Sequence, residues 1–160
     1  MKKIIAYSIF ILSLLGTKLI GQATIFDLNA TRTALTTTTI SVKVQVKYDA
    51  SDDMGFANYV FTYDTSLVSQ PSINTIHNFS GGSYSTMTLT NPTATSSSIN
   101  IVYNNGTATA VSTSYVDVIT IDFTIKNQSG TFNLAWDNGA ANTVNFNASF
   151  GQQAIGTLTN

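Results

Sequence analysis

The chain has 160 residues, of which only 9% are charged, and a formal net charge of −1, whereas about a quarter of the residues in an average soluble domain are charged. It contains no cysteine, all eight acidic residues are aspartate, and Thr, Ser and Asn together supply 57 residues. These three residue types are poor helix formers that suit strands, turns and loops. The composition therefore excludes a helical bundle, a disulfide scaffold, a cysteine-ligated metal site and a basic nucleic-acid binder.

The first 23 residues have the layout of a secretory signal peptide. Met1-Lys2-Lys3 is a basic start, Ile4–Gly16 is a 13-residue run without a charge, and Gly21-Gln22-Ala23 is a small-x-small cleavage site. The run is shorter than the ~18 apolar residues of a membrane span, which favours a signal peptide over a membrane anchor. The small-x-small site predicts cleavage after Ala23. The mature chain, residues 24–160, then carries four basic residues against eight aspartates. An exported domain without cysteine is more usual of bacteria than of animals.

Alternation of apolar and polar residues with a period of two predicts strands along the whole mature chain. The clearest case is the segment 40–47, in which Ile40, Val42, Val44 and Val46 would face inward. A first strand is predicted at Thr24–Asn29, and the remaining inward rows are Tyr59, Phe61 and Tyr63; Met87 and Leu89; Ile99, Ile101 and Tyr103; Ile119, Ile121, Phe123 and Ile125; Phe132, Leu134 and Trp136; and Val144, Phe146, Ala148 and Phe150. No mature stretch of ten or more residues shows a helical period.

Clusters of turn-forming residues separate these rows. They are Asp52–Gly55, Ser80–Gly82, Asn91-Pro92, Asn104–Gly106, Asn127–Gly130 and Asp137–Gly139. One sheet with a polar outer face cannot cover its own apolar face, so eight to ten such strands predict a single antiparallel β-sandwich domain over residues 24–160. The Thr-rich stretches at 36–39, 93–98 and 107–113 are interpreted as outward strand faces and their loops.

The segment Asn58–Val68 places alternating aromatic residues before Tyr63-Asp64, two small polar residues and an aliphatic pair. Asp64 is suited to accept hydrogen bonds from the backbone N–H groups that follow it, so that Leu67 or Val68 folds back as a plug. This pattern resembles the signature of cohesin domains. Further segments that resemble the family follow in order: Ser41–Val46 with Gly55 after it, Ile99–Tyr103, Val118–Ile125 and Gly130–Leu134.

The resemblance covers most of residues 24–155 and implies a jelly-roll sandwich of about nine strands. Cohesins hold dockerin modules in extracellular polysaccharide-degrading assemblies, and their structural relatives bind cellulose or chitin. The calcium of a cohesin–dockerin complex belongs to the dockerin, so the resemblance implies no metal and no cofactor on this chain. Because the dockerin-contacting positions vary among cohesins, the ligand-binding residues stay unassigned.

The residues themselves offer little chemistry for catalysis. A glycosidase needs two carboxyl groups as acid and base, but Asp49, Asp52 and Asp53 share one hydrophilic loop without a predicted pocket. His77 is not accompanied by the sequence context of a nucleophile. The segment 49–53 offers oxygen ligands of the kind that calcium prefers, yet it lacks the twelve-residue loop spacing and a closing glutamate. We interpret it as a solvated turn and predict neither a catalytic nor a metal site.

A polysaccharide site would need exposed, flat aromatic side chains. Three tyrosines fall on inward rows and are predicted to be core residues with hydroxyls at the sandwich edge: Tyr59, Tyr63 and Tyr103. Trp136 is interpreted as a plug at the end of the core, with a ligand platform as the alternative. The aromatics predicted to be freer are Tyr48, Tyr84 and Tyr115.

Three functions stay open. The first is an exported, cohesin-like module that holds a dockerin-like protein module or a polysaccharide outside the cell or at its surface. The second is a carbohydrate-binding module proper, and the third is a structural subunit of a surface layer or filament joined through sheet edges. Faces rich in Thr, Ser and Asn favour protein binding because these side chains lose little entropy on contact. The sequence indicates neither nucleic acid nor, after signal cleavage, a membrane as the partner.

Overall fold

The computed structural model describes residues 23–139 and 142–160, which form eleven β-strands in two sheets. The predicted all-β sandwich is confirmed, with eleven strands rather than about nine. Apart from Ala23, the predicted signal peptide lies outside the described residues. None of the described residues belongs to a helix with the length and hydrophobicity needed to cross a bilayer.

The chain crosses between the two sheets several times. They are β1 (Ile25–Leu35), β2 (Thr39–Tyr48), β3 (Asp52–Tyr63), β4 (Ser72–Ile76), β5 (Thr88–Thr93), β6 (Ser96–Ile101), β7 (Ala110–Val111), β8 (Val116–Thr124), β9 (Leu134–Trp136), β10 (Val144–Asn147) and β11 (Ala154–Thr159). The first sheet has the order β11-β1-β2-β8-β4; the second has the order β10-β3-β6-β5, with β7 and β9 also paired to β3. The pairing of β1 with β11 is parallel, and the other strand pairs are antiparallel.

The core lies between the two sheets and is built by the alternation that the sequence predicted. The inward row of β2 runs from Ile40 to Val46, and each of its side chains is at most 5% exposed. Phe61 of β3 and Phe123 of β8 meet edge to face at 6.4 Å between ring centroids, which joins the second sheet to the first. Burial of each such large side chain stabilises the fold by about 1.5–3 kcal/mol.

Two predicted turns are parts of strands. Residues 52–55 begin β3, because Asp52 and Asp53 pair with β7. Asn91-Pro92 lies within β5, where the ladder to β6 is irregular between Thr90 and Thr93. A proline is tolerated there because β5 is an edge strand, on which some N–H groups need no partner.

The predicted inward row of β10 was wrong, because the opposite face of this strand points into the core. Thr143 and Asn145 are completely buried, whereas Val144 and Phe146 lie half-buried on the outer side. The register explains this, since Asn145 lies opposite the buried Ala57 of β3. A polar side chain is stable in the core only when its hydrogen bonds are satisfied.

Two core tyrosines satisfy Asn145. The Tyr48 hydroxyl donates to Asn145 Oδ1 at 3.2 Å, and Asn145 Nδ2 donates to the Tyr59 hydroxyl oxygen at 2.9 Å. Burial raises the pKa of both tyrosines well above its usual value, so both hydroxyls stay protonated. Asn145 thus bridges a strand of each sheet and fixes which face of β10 is inside.

Gly55 allows β10 to approach β3 closely. A Cβ atom at this position would lie 2.2 Å from the carbonyl oxygen of Asn147 and 2.8 Å from that of Phe146. Both are backbone atoms, so they cannot move aside without disturbing β10. Glycine at position 55 is therefore required for β10 to pair with β3 at this distance.

Replacing Asn145 with Ala is expected to lower the free energy of unfolding by about 3 kcal/mol, because two buried hydroxyls lose a partner. Tyr59→Phe is expected to cost less in the Asn145→Ala background than in the unaltered protein, since their shared hydrogen bond is already gone. Urea unfolding of the single and double variants measures this coupling. Additive losses would show that the Asn145–Tyr59 hydrogen bond does not contribute to stability.

Gly55→Ala is expected to lower the free energy of unfolding by about 2 kcal/mol or more, because the new methyl group overlaps the backbone of β10. Urea unfolding provides the measurement. Ser51→Ala, an exposed change in the preceding loop, serves as the control and is expected to stay within about 0.5 kcal/mol. Equal stability of the two variants would contradict the close approach of β10.

Candidate functional site

The outer face of the first sheet is charged, and four of its charged side chains form two ion pairs. Lys43 Nζ lies 3.0 Å from Asp117 Oδ2, and Lys47 Nζ lies 3.3 Å from Asp27 Oδ2. Gln45 Nε2 also donates to Asp117 Oδ1 at 2.6 Å. Partial burial raises the pKa of Asp117, but the hydrogen bonds from Lys43 and Gln45 and the Lys43 charge outweigh it and keep the pKa below its usual value. Asp122 on the same face forms no ion pair with the described residues: its Oδ2 accepts Asn74 Nδ2 at 2.8 Å, and its Oδ1 is buried without a hydrogen-bond partner.

On the outer side of the second sheet, the region where β10, β3, β6 and β5 pair with one another carries no charged residue; the exposed Asp53, at the start of β3, lies outside this region. The cross-strand registers place nine residues on this side, and the alternation along β3 and β10 adds Phe56 and Phe146. We call it the uncharged face, and it consists of Phe56, Asn58, Val60, Thr62, Thr88, Thr90, Ser96, Ser98, Asn100, Val144 and Phe146.

Polar side chains form a hydrogen-bonded row across the uncharged face. Asn58 Nδ2 donates to the carbonyl oxygen of Asn142 at 2.7 Å, and Ser98 Oγ donates to Asn58 Oδ1. Asn100 Nδ2 donates to Thr90 Oγ1 at 3.3 Å. These contacts hold short side chains in place, so little side-chain entropy remains to be lost when a partner covers them.

An aromatic corner adjoins this row. Phe150 follows β10 and is 68% exposed, and its ring lies 5.2 Å from that of Phe56. Its backbone has the left-handed φ of 63°, which is unfavourable for a residue with a large side chain. Asn147 holds the loop, because its Oδ1 accepts the N–H groups of Ser149 at 3.0 Å and Gly151 at 2.8 Å. The fold therefore presents Phe150 to solvent in a fixed position.

The Asp64 turn forms as the sequence predicted. Asp64 Oδ1 accepts the backbone N–H of Ser66 at 2.8 Å and its hydroxyl at 2.6 Å. These hydrogen bonds lower the pKa of the Asp64 carboxyl group. Val68 is 1% exposed and closes the core as the plug.

The acidic residues considered for catalysis or calcium do not converge. Asp49 Oδ1 accepts the backbone N–H of Ile25 at 2.8 Å, which joins the end of β2 to the start of β1. Asp52 Oδ2 accepts Asn147 Nδ2 at 2.9 Å and Gln153 Nε2 at 3.2 Å, while Asp53 is exposed. Within residues 23–139 and 142–160, no group of three or more His, Asp or Glu side chains is placed to hold a metal.

His77 is exposed on the first sheet. Its Nε2 lies 2.8 Å from Thr120 Oγ1. This contact joins the end of β4 to β8 and involves neither a serine nor an aspartate, the partners that a catalytic triad would require.

Two of the three tyrosines predicted to be freer are core residues. Tyr48 is 1% exposed because it occupies the next position in the inward row of β2, a signal that the sequence already contained. Tyr84 is 5% exposed, and its hydroxyl donates to the carbonyl oxygen of Met54 at 2.7 Å and accepts the N–H of Thr109 at 2.9 Å. Only Tyr115 of the three is exposed, at 37%.

The other aromatic residues considered for a polysaccharide site lie where the sequence predicted, except that the Tyr59 hydroxyl is inside the core with Asn145 and not at the sandwich edge. Tyr59 and Tyr63 are buried, and Tyr103 is half-buried against Tyr84 at 5.5 Å. Trp136 packs edge-on against Phe61 at 6.0 Å and donates through Nε1 to the carbonyl oxygen of Thr159, as a plug at the end of the core does. The large exposed aromatic side chain is instead Phe150, for which the alternation of residues 144–150 predicts an inward position.

Comparison with known proteins finds similarity in the fold and not in the sequence. No family model matches the chain, and no curated protein has a significantly similar sequence. The cohesin-type domain in the Clostridium thermocellum complex Coh-OlpA-Doc918, a type I cohesin–dockerin complex, matches with a TM-score of 0.60 and 12% identity, over 84% of this chain and 94% of that one. The second type II cohesin module of the Acetivibrio cellulolyticus ScaA scaffoldin matches with a TM-score of 0.59 and 11% identity, over 86% of this chain and 87% of that one.

A third match extends the similarity to another organism. The seventh ScaB type I cohesin from Pseudobacteroides cellulosolvens has a TM-score of 0.53 and 11% identity, over 86% of this chain and 88% of that one. The described part of the chain thus has the cohesin-like β-sandwich fold that the sequence resemblance implied.

Proposed function

We propose that this protein is an exported, non-catalytic binding module that holds a dockerin-type protein module on its uncharged face. The observation that carries the proposal is a sheet face without charged residues where its strands pair, bordered by an exposed aromatic side chain, on a fold shared with cohesins that were crystallised with dockerins. Export rests on the predicted signal peptide at residues 1–23.

The chemistry of the uncharged face supports a protein partner. Charged residues are depleted at the centre of protein interfaces, whereas aromatic residues are enriched there. A few aromatic side chains supply most of the binding free energy when they enter a pocket of the partner. Phe150 and Phe56 are suited to this role, and the Asn58–Ser98 and Asn100–Thr90 contacts would orient the polar part of the interface.

The aromatic inventory favours a protein over a polysaccharide. Sugar rings stack on exposed, flat aromatic surfaces, but Tyr48 and Tyr84 are buried and Trp136 is half-buried with its N–H engaged. Phe150 is the one strongly exposed aromatic among the described residues. A single ring offers less than a planar platform for a polysaccharide chain.

Calorimetric titration with the recombinant dockerin modules encoded in the same genome tests the proposal. At least one of them is expected to bind with a Kd in the micromolar range or below. Phe150→Ala should weaken that binding on the order of tenfold, and Thr90→Lys should weaken it as well, because it places a charge on the uncharged face. Tyr115→Ala removes an exposed aromatic side chain above Lys47 of the first sheet and should leave binding unchanged.

Two results would contradict the proposal. One is the absence of binding to every dockerin in the panel; the other is binding that is weakened by Tyr115→Ala but not by Phe150→Ala or Thr90→Lys. Retardation of the protein in gels that contain cellulose, xylan or chitin would instead support the carbohydrate-binding alternative.

A further inference from the structure

A groove of about 630 Å³ opens at the end of the sandwich where β1 turns into β2, and none of the residues that line it belongs to the uncharged face. Its walls come from the end of β1, the turn after it, the plug that follows β3 and the loop after β8. This volume is within the range of about 300–1,000 Å³ that is typical of small-molecule sites.

Arg32 stands in this groove because of its position on β1. Phe26, Leu28 and Ala30 form the inward row of this strand, and Arg32 is the next residue of the row. It pairs with Val42, whose side chain is 3% exposed in the core. The guanidinium group therefore extends from the core-facing side of the sheet into the open end of the sandwich.

A bulge follows Arg32 and turns Leu35 to the same side. The ladder between β1 and β2 is irregular between Arg32 and Ala34, which leaves Thr33 unpaired. Leu35 then lies opposite the buried Ile40 and lines the groove while 56% exposed. Bulges commonly redirect side chains in this way near functional sites.

Arg32 has no carboxylate partner, although the chain contains more acids than bases. Lys43 and Lys47 each form an ion pair with an aspartate, and Lys126 donates to the carbonyl oxygen of Thr65 at 3.2 Å. Arg32 forms no ion pair with any of the residues that the structure describes, and no acidic residue lines the groove. The positive charge in this groove is not neutralised by the protein.

The remaining lining is mostly aliphatic and has a polar rim. Its apolar part is formed by Leu35, Ile40, Leu67, Val68, Ile125 and Phe132. Gln128 Nε2 donates to the carbonyl oxygen of Thr37 at 2.9 Å and so fixes one side of the rim. Gly130 lets the loop after β8 lie against Leu67, since a Cβ atom there would lie 2.5 Å from Leu67 Cδ2.

We propose that this groove binds a small aliphatic carboxylate, with the acid group on Arg32 and the hydrocarbon chain against the apolar lining. A planar guanidinium forms charge-assisted, paired hydrogen bonds with a carboxylate. The hydrocarbon chain of the ligand packs against the aliphatic lining, and the removal of its apolar surface from water favours binding. This site is separate from the uncharged face, so it stands or fails independently of the proposed protein partner.

Decanoate is a suitable probe, with 1-decanol as its neutral analogue. Titration of the isotope-labelled protein is expected to shift the amide NMR signals of Arg32, Leu67 and Thr131 to saturation with decanoate. 1-Decanol should bind at least about fivefold more weakly, because it lacks the charge that Arg32 recognises.

Two variants and one control locate the recognition. Arg32→Gln should weaken decanoate binding about tenfold and leave 1-decanol binding within about twofold. Leu35→Asp, an exposed change that places a carboxylate in the groove, should abolish decanoate binding. Lys126→Gln removes the same charge from a neighbouring residue outside the groove lining and should have no effect on binding.

The proposal is overturned if decanoate causes no saturable shifts, or if 1-decanol binds as tightly as decanoate. It is also overturned if Arg32→Gln and Lys126→Gln weaken decanoate binding equally, since the protein would then respond only to overall charge.

Discussion

The hydrogen bonds of Asn145 with Tyr48 and Tyr59 are the interaction on which the second sheet depends. Each of the three side chains is at most 1% exposed, so none of them has water as an alternative partner. Loss of this arrangement would leave polar groups unsatisfied in the core, at a cost of about 1–3 kcal/mol for each group. With Asn145 inward, the period of two requires Val144 and Phe146 to point outward.

The surface properties of the molecule follow from that choice. Val144 and Phe146 extend the outer surface of β3 and β6, and the loop after β10 brings Phe150 onto Phe56. The first sheet, in contrast, uses its outer side for the Lys43–Asp117 and Lys47–Asp27 ion pairs. The first sheet thus pairs four of its charged side chains with one another, whereas the paired strands of the second present an uncharged surface.

The sequence predicted the sandwich because inward apolar positions recur with a period of two in β2, β3, β6 and β8. It did not predict which face of β10 is inside. Val144 and Phe146 are the apolar residues of that strand and indicated the wrong face, and Asn145 faces inward only because Tyr48 and Tyr59 satisfy its hydrogen bonds. The outward position of Phe56 could be predicted from the sequence, since Phe56 lies one residue before the inward row that Ala57 and Tyr59 begin. The exposure of Phe150 was not, because it depends on a loop that Asn147 closes through its side chain. The groove at Arg32 could not be predicted either, since the bulge at Thr33 has no sequence signal.

The side of β10 that faces the core can be measured directly by nuclear Overhauser effects in the folded protein. The structure predicts contacts between the side-chain amide protons of Asn145 and the ring protons of Tyr59, and slow solvent exchange of those amide protons. Contacts from the methyl groups of Val144 to the Tyr59 ring would contradict it. In that case Asn145 would face solvent, and the uncharged face with its aromatic corner would not exist in this form.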